Sequence, residues 1–105
     1  MNNIIENRIR SKCLARIADI FQVDKESLTG DTELTKLYVP QPVRFWKRNA
    51  FDKVLDDLRD AAGKESIKLL NTGDFVATTV DDYVRFMQIC YEERPKLVQL
   101  VLGDV

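Results

Sequence analysis

Three stretches of this chain space their apolar residues by three and four, and that repetition limits the possible folds more than any other feature. In the first, Ile5, Ile9, Cys13, Ile17 and Ile20 form a stripe that Ile4, Leu14 and Phe21 widen, while Arg8, Lys12, Arg16 and Asp19 lie off it. The second carries Val43, Trp46, Ala50, Phe51, Val54, Leu55, Leu58 and Ala61. The third carries Val80, Tyr83, Val84, Met87, Cys90 and Tyr91, flanked by Phe86. A period near 3.6 is that of an amphipathic helix, and no stretch alternates convincingly with the period of two that a half-buried strand needs. Three such faces must bury against one another. The expected fold is therefore all-α, a bundle of three main helices plus one short helix, in a single domain over residues 1–105.

The ends of the helices are marked by capping chemistry. The first is expected to stop at Gln22-Val23-Asp24. Pro42 suits the first turn of the second, which is read as running to about Ala62 and ending at Gly63 in a left-handed conformation. Thr79 followed by Asp82 resembles a capping box for the third, with Asp81 and Asp82 where the helix dipole favours negative charge, and Pro95 after Arg94 marks its end. Between the helices, residues 24–32 are rich in short polar side chains that bond nearby backbone, and Leu28, Leu34 and Leu37 are the expected anchors of that loop. Residues 64–78 read as loop with one short helical turn. The tail, with Leu97, Val98, Leu100, Val101 and Leu102, is too apolar to lie free in water: it packs as a short helix or strand, or covers a partner. The core is expected to hold Ile9, Cys13, Ile17, Ile20, Phe51, Val54, Leu58, Val84 and Met87.

Composition excludes several functions. Sixteen basic and seventeen acidic residues give a net charge of -1, so no global field recruits nucleic acid or an anionic membrane. No segment approaches the ~20 apolar residues of a spanning helix, and the start has no basic region followed by an apolar run, which reads as a cytoplasmic protein. Cys13 and Cys90 lie far apart inside apolar runs and the chain has no histidine, so no metal site is expected. The two thiols read as buried small hydrophobes, with a Cys13–Cys90 disulfide as the alternative. Catalysis is not expected either. No histidine can serve as general base, there is no glycine-rich phosphate loop, and the pairs Asp56-Asp57 and Asp81-Asp82 are adjacent residues that project in different directions on helices.

The run Ile17-Ala18-Asp19-Ile20-Phe21-Gln22-Val23-Asp24-Lys25-Glu26-Ser27-Leu28-Thr29-Gly30-Asp31-Thr32-Glu33-Leu34 resembles the end of the first helix and the following loop of acyl carrier proteins. Thr78-Thr79-Val80-Asp81-Asp82-Tyr83-Val84 is similar to the opening of their last helix, and Phe51 to Ala61 to the body of their second. The resemblance covers about three quarters of the chain and implies an acyl carrier protein-like bundle, here with a C-terminal apolar extension. Such carriers attach phosphopantetheine to the serine of an Asp-Ser-Leu motif at the start of the second helix. Aligned from either side, that position falls near Gln41 or Arg48, and the stretch Tyr38 to Asn49 contains no serine or threonine. Phosphopantetheine is thus not expected as a cofactor. Gly63-Lys64-Glu65-Ser66-Ile67 mimics the motif, which would make Ser66 the attachment point; the other reading of Ser66 is a solvated loop serine, because Asn71-Thr72-Gly73-Asp74 follows too soon for a long helix.

Where the carriers present acids, this chain presents Arg44, Phe45, Trp46, Lys47 and Arg48, with Asp56, Asp57 and Asp60 toward the far end of the helix. The spacing puts Trp46 on the side of Ala50 and Val54, and leaves Arg44, Phe45, Lys47 and Arg48 as the expected partner-binding residues. Three functions follow. The leading one is a non-catalytic interaction module of carrier type that has lost its attachment serine and binds another protein, an acidic one or a second copy presenting Asp56, Asp57 and Asp60. The alternatives are an atypical acyl or peptidyl carrier modified on Ser66, and a small regulatory or nucleic-acid-binding protein using the basic patch, a use for which one short cluster is weak support. The plain structural reading of the same residues is a solvated helix face with pairs such as Lys53 and Asp57.

Overall fold

The computed structural model describes the chain over residues 3–37 and 50–104, with side chains from Asp52 onward in the second stretch. The first helix, α1, spans Asn3–Phe21 and buries Ile9, Cys13, Ile17 and Phe21. These residues are four apart, so the buried line is narrower than the stripe read from the sequence. Ile20, expected in the core, is only half-buried, because it sits about 100° around the helix from Phe21, which takes the inner position. The helix ends at Gln22, whose φ of +57° is left-handed. Val23 N–H bonds back to the Ala18 carbonyl at 3.0 Å and the Gln22 amide donates to the Asp19 carbonyl at 2.6 Å, so the last turn keeps its acceptors satisfied without a glycine.

The loop after α1 contains two single 3-10 turns, Lys25–Ser27 and Leu34–Leu37. Leu34 is completely buried, Leu28 nearly so, and Leu37 packs partly against the core, as their spacing in a polar loop implied. The second helix, α2, is described over Ala50–Ala61 and buries Val54, Leu58 and Ala61. Its expected start near Pro42, the placement of Trp46 and the core position of Phe51's side chain lie outside the described residues. Gly63 does not end α2 in a left-handed conformation; the positive-φ glycines are Gly73 and Gly103. Gly63 is needed for space: a Cβ there would sit 2.6 Å from the Glu93 carboxyl carbon.

A short helix, α3, covers Ser66–Asn71, in the segment read as loop with one helical turn. The long helix α4 spans Val80–Glu93, and its start bears out the capping box. The Thr79 hydroxyl accepts from Asp82 N–H at 3.2 Å, while the Asp82 carboxylate accepts from the N–H groups of Thr78 and Thr79. Phe86, expected to flank the apolar face, is fully buried, its ring tilted against Phe75 at 4.8 Å between centroids. The apolar tail resolves as a fifth helix, α5, over Pro95–Leu102, separated from α4 by Arg94 alone. Pro95 occupies its first turn, where the missing N–H costs nothing, and Val98 and Leu102 fall four apart onto α2 and α4. The protein is thus all-α, with five helices among the described residues where three plus a short one and an extension were expected. Among these residues the extended pairing is a single bridge, Glu33 to Thr79.

Candidate functional site

Asp57 shows how α2 carries more than packing. Val54, Asp57, Leu58 and Ala61 fall at i, i+3, i+4 and i+7, so the acid occupies a position on the apolar stripe itself and enters the interior, 5% exposed. Arg16 on α1 meets it with a fork: Nε lies 2.7 Å from Oδ2 and Nη2 3.0 Å from Oδ1. From α4, the buried Tyr83 hydroxyl donates to Oδ2 at 3.0 Å. One carboxylate therefore joins three helices, with both of its oxygens accepting hydrogen bonds. The hydrogen bond to Asp57 holds the Arg16 guanidinium above its ordinary range, and burial first, then the Asp57 charge, pushes the Tyr83 phenol well above its ordinary value. The sequence had grouped Asp57 with the exposed acids of α2 and paired it with Lys53; its partners are Arg16 and Tyr83, and it cannot be part of an acidic face presented to a second copy.

Beside this pair an open groove of about 470 Å³ runs between the end of α1 and the outer side of α2. Asp19 and Ile20 of α1 and Gln22 just beyond it line one side, and Lys53, Asp56 and Asp60 of α2 the other. The half-buried Ile20, displaced from the core, supplies apolar surface among charges. Such a groove suits polar, exchangeable contacts; it does not enclose a small apolar ligand.

Ser66 occupies the second polar node. Far from being a solvated loop serine, it is 2% exposed and begins α3. Glu93, in the last turn of α4, accepts from Glu65 N–H and Ser66 N–H, each at 2.8 Å, and from the Ser66 hydroxyl. These bonds, the hydroxyl's first, hold the Glu93 carboxyl below its ordinary value. The Ser66 hydroxyl also neighbours the Cys90 thiol, which burial pushes up to about 11. Cys13, more deeply enclosed, is raised further. Both cysteines are free and buried, so the reading of two small hydrophobes holds and the disulfide does not form. Glu93 and Asp57 were missed for the same reason. Phe86, Cys90 and Glu93 fall at i, i+4 and i+7, so each acid stands on an apolar stripe, and an acid in a stripe is the signal that finds it.

The partner-binding residues expected from sequence, Arg44, Phe45, Lys47 and Arg48, lie outside the described residues. Among the described residues no group of His, Cys, Asp and Glu is placed to hold a metal ion, and no helix is long and apolar enough to cross a membrane. No known protein family, curated protein or solved structure matches this chain.

Proposed function

We propose that this chain is a non-catalytic interaction module of acyl carrier protein-like design that works without a prosthetic group. The observation that carries this reading is the state of Ser66, the serine that stands in a carrier-like motif. Its hydroxyl is buried and donated to Glu93, and it heads a six-residue helix in place of a long one, so a modifying enzyme would first have to unpack α3. The element order supports the same reading: a long α1, a structured loop, α2, the short α3 and a capped α4 follow one another as in a carrier. The stretch 38–49, where a carrier would place its serine, has no hydroxyl side chain except that of Tyr38. The partner is another protein with an acidic surface, met through Arg44, Phe45, Lys47 and Arg48.

Intact mass after co-expression with a broad-specificity phosphopantetheinyl transferase tests the first half of this reading: the expected mass is that of the unmodified chain. A gain of one phosphopantetheine that Ser66→Ala abolishes would establish the carrier alternative instead. The second half is tested by Arg44→Glu with Arg48→Glu, which should abolish capture of the partner at unchanged helicity. Unchanged self-association and unchanged capture would reduce the patch to a solvated face.

A further inference from the structure

The segment from Gly63 to Phe75 is built as a unit. Its backbone bonds close within it: Ile67 N–H to the Gly63 carbonyl, Lys68 to Glu65, Thr72 to Lys68, Gly73 to Leu70 and Phe75 to Leu69. Thr72 and Asp74 bond each other through their side chains, and Lys68 pairs with Glu65. Gly73, left-handed at φ +78° with open space where a Cβ would be, turns the chain so that Phe75 folds back beneath α3. What ties this unit to the bundle is different in kind. At its entrance the Glu93 carboxylate accepts from Glu65 and Ser66; at its exit the Phe75 ring leans on Phe86; between them Leu69 and Leu70 are only partly buried. Val76, immediately beyond, is exposed.

We infer that Gly63–Phe75 is a flap that opens independently of the rest of the bundle, with the Glu93 carboxylate as its latch. Opening keeps the flap's own hydrogen bonds and sacrifices the latch, the Phe75–Phe86 contact and a modest apolar area, so it is easier than global unfolding. It uncovers the side of α4 that carries Phe86 and Cys90, both fully buried when the flap is shut. Gly63 belongs to the device, because a side chain there would meet Glu93 and push its carboxylate off Ser66. Cys13, in the middle of α1 and away from the flap, reports opening of the whole molecule and serves as the internal reference.

The two thiols make the experiment direct. The full chain is incubated with iodoacetamide under native conditions, and alkylation of Cys90 and Cys13 is followed separately by peptide mass spectrometry. In the wild type Cys90 should react faster than Cys13 by about tenfold or more. Glu93→Ala should raise the Cys90 rate by a further ~10-fold while changing the Cys13 rate much less. Gly63→Ala, which keeps the carboxylate but displaces it, should act in the same direction and provides the reading should Glu93→Ala fail to fold. Equal rates at the two cysteines in the wild type, rising in parallel in the variants, would overturn the inference: the segment would then open only with the whole bundle.

Discussion

The loop of residues 28–34 and the helical segment of residues 63–75 have exchanged the roles their secondary structure suggests. The loop has almost no regular structure, yet its backbone is stitched to the start of α4: Leu34 N–H bonds to the Thr78 carbonyl at 2.9 Å, and Val80 and Asp81 donate back to Thr32 and Gly30, each at 3.0 Å. Leu34 completes the attachment from inside the core. The flap contains a helix, but one carboxylate, one ring contact and the partly buried Leu69 and Leu70 hold it. Helix content measures how a segment satisfies its own backbone; attachment depends on which bonds cross to the rest of the fold. The same division separates what is stable from what can move.

The largest effect expected from this difference is at Leu34. Leu34→Ala empties a site with no exposure and should destabilise by ~2–5 kcal/mol in chemical denaturation, as Leu58→Ala should in α2, whereas Leu69→Ala in the half-buried flap should stay below ~1.5 kcal/mol. Equal losses at Leu34 and Leu69 would break the comparison. Next is the cap that anchors the loop's partner strand of backbone: Thr79→Ala should lower stability by about 1 kcal/mol, because Asp82 N–H loses its acceptor. Smaller is Gly30→Ala. A Cβ there would lie 2.3–2.5 Å from the Asp81 carboxylate, but that side chain is 53% exposed and can swing away, giving up its 2.8 Å pair with Arg10, worth at most ~1 kcal/mol at the surface.

Acid should sharpen the contrast. Glu93, in the flap's latch, and Asp82, at the loop's junction, are both held below their ordinary values of 4.5 and 3.8. For Asp82 desolvation pulls upward, and the N–H groups of Thr78 and Thr79 with the Thr79 hydroxyl outweigh it. A carboxyl with a depressed folded-state pKa contributes stability above its unfolded value and loses it as pH falls through the folded value. The melting temperature should therefore hold from neutral pH down to about 4.5 and decline below it. Glu93→Gln should melt lower than the wild type at neutral pH and show a shallower acid decline; identical acid limbs would mean that the carboxylate does not hold the flap.

Much of this architecture is legible in the residues. The stripe of α1, the Thr79–Asp82 box, the loop anchors Leu28 and Leu34, and the stop at Gln22 follow from local rules, because a helix face or a cap needs only near neighbours in sequence to form. The tail is a partial case. Its helical spacing at Val98 and Leu102 was present, but strand and helix remained equal readings until Pro95 was seen to begin a helix one residue after α4 ended. The site was less legible. The sequence offers Ser66 as an attachment point or a solvated loop serine and Asp57 as a surface acid, since a polar residue's burial depends on a partner dozens of positions away.

By itself, then, the sequence determined that the chain is helical, where α4 is capped, and most of the apolar residues that turn inward on α1 and α4, since periodicity and capping act over a few residues. Only the tertiary structure decided which polar residues, Asp57 and Ser66, followed them, and which partners met them. Arg16 and Asp57 are 41 positions apart, and Ser66 and Glu93 27. A polar group enters the interior only when a donor or counter-charge meets it there: its place on an apolar stripe is a local pattern, but the meeting is a property of how α1, α2, α3 and α4 pack.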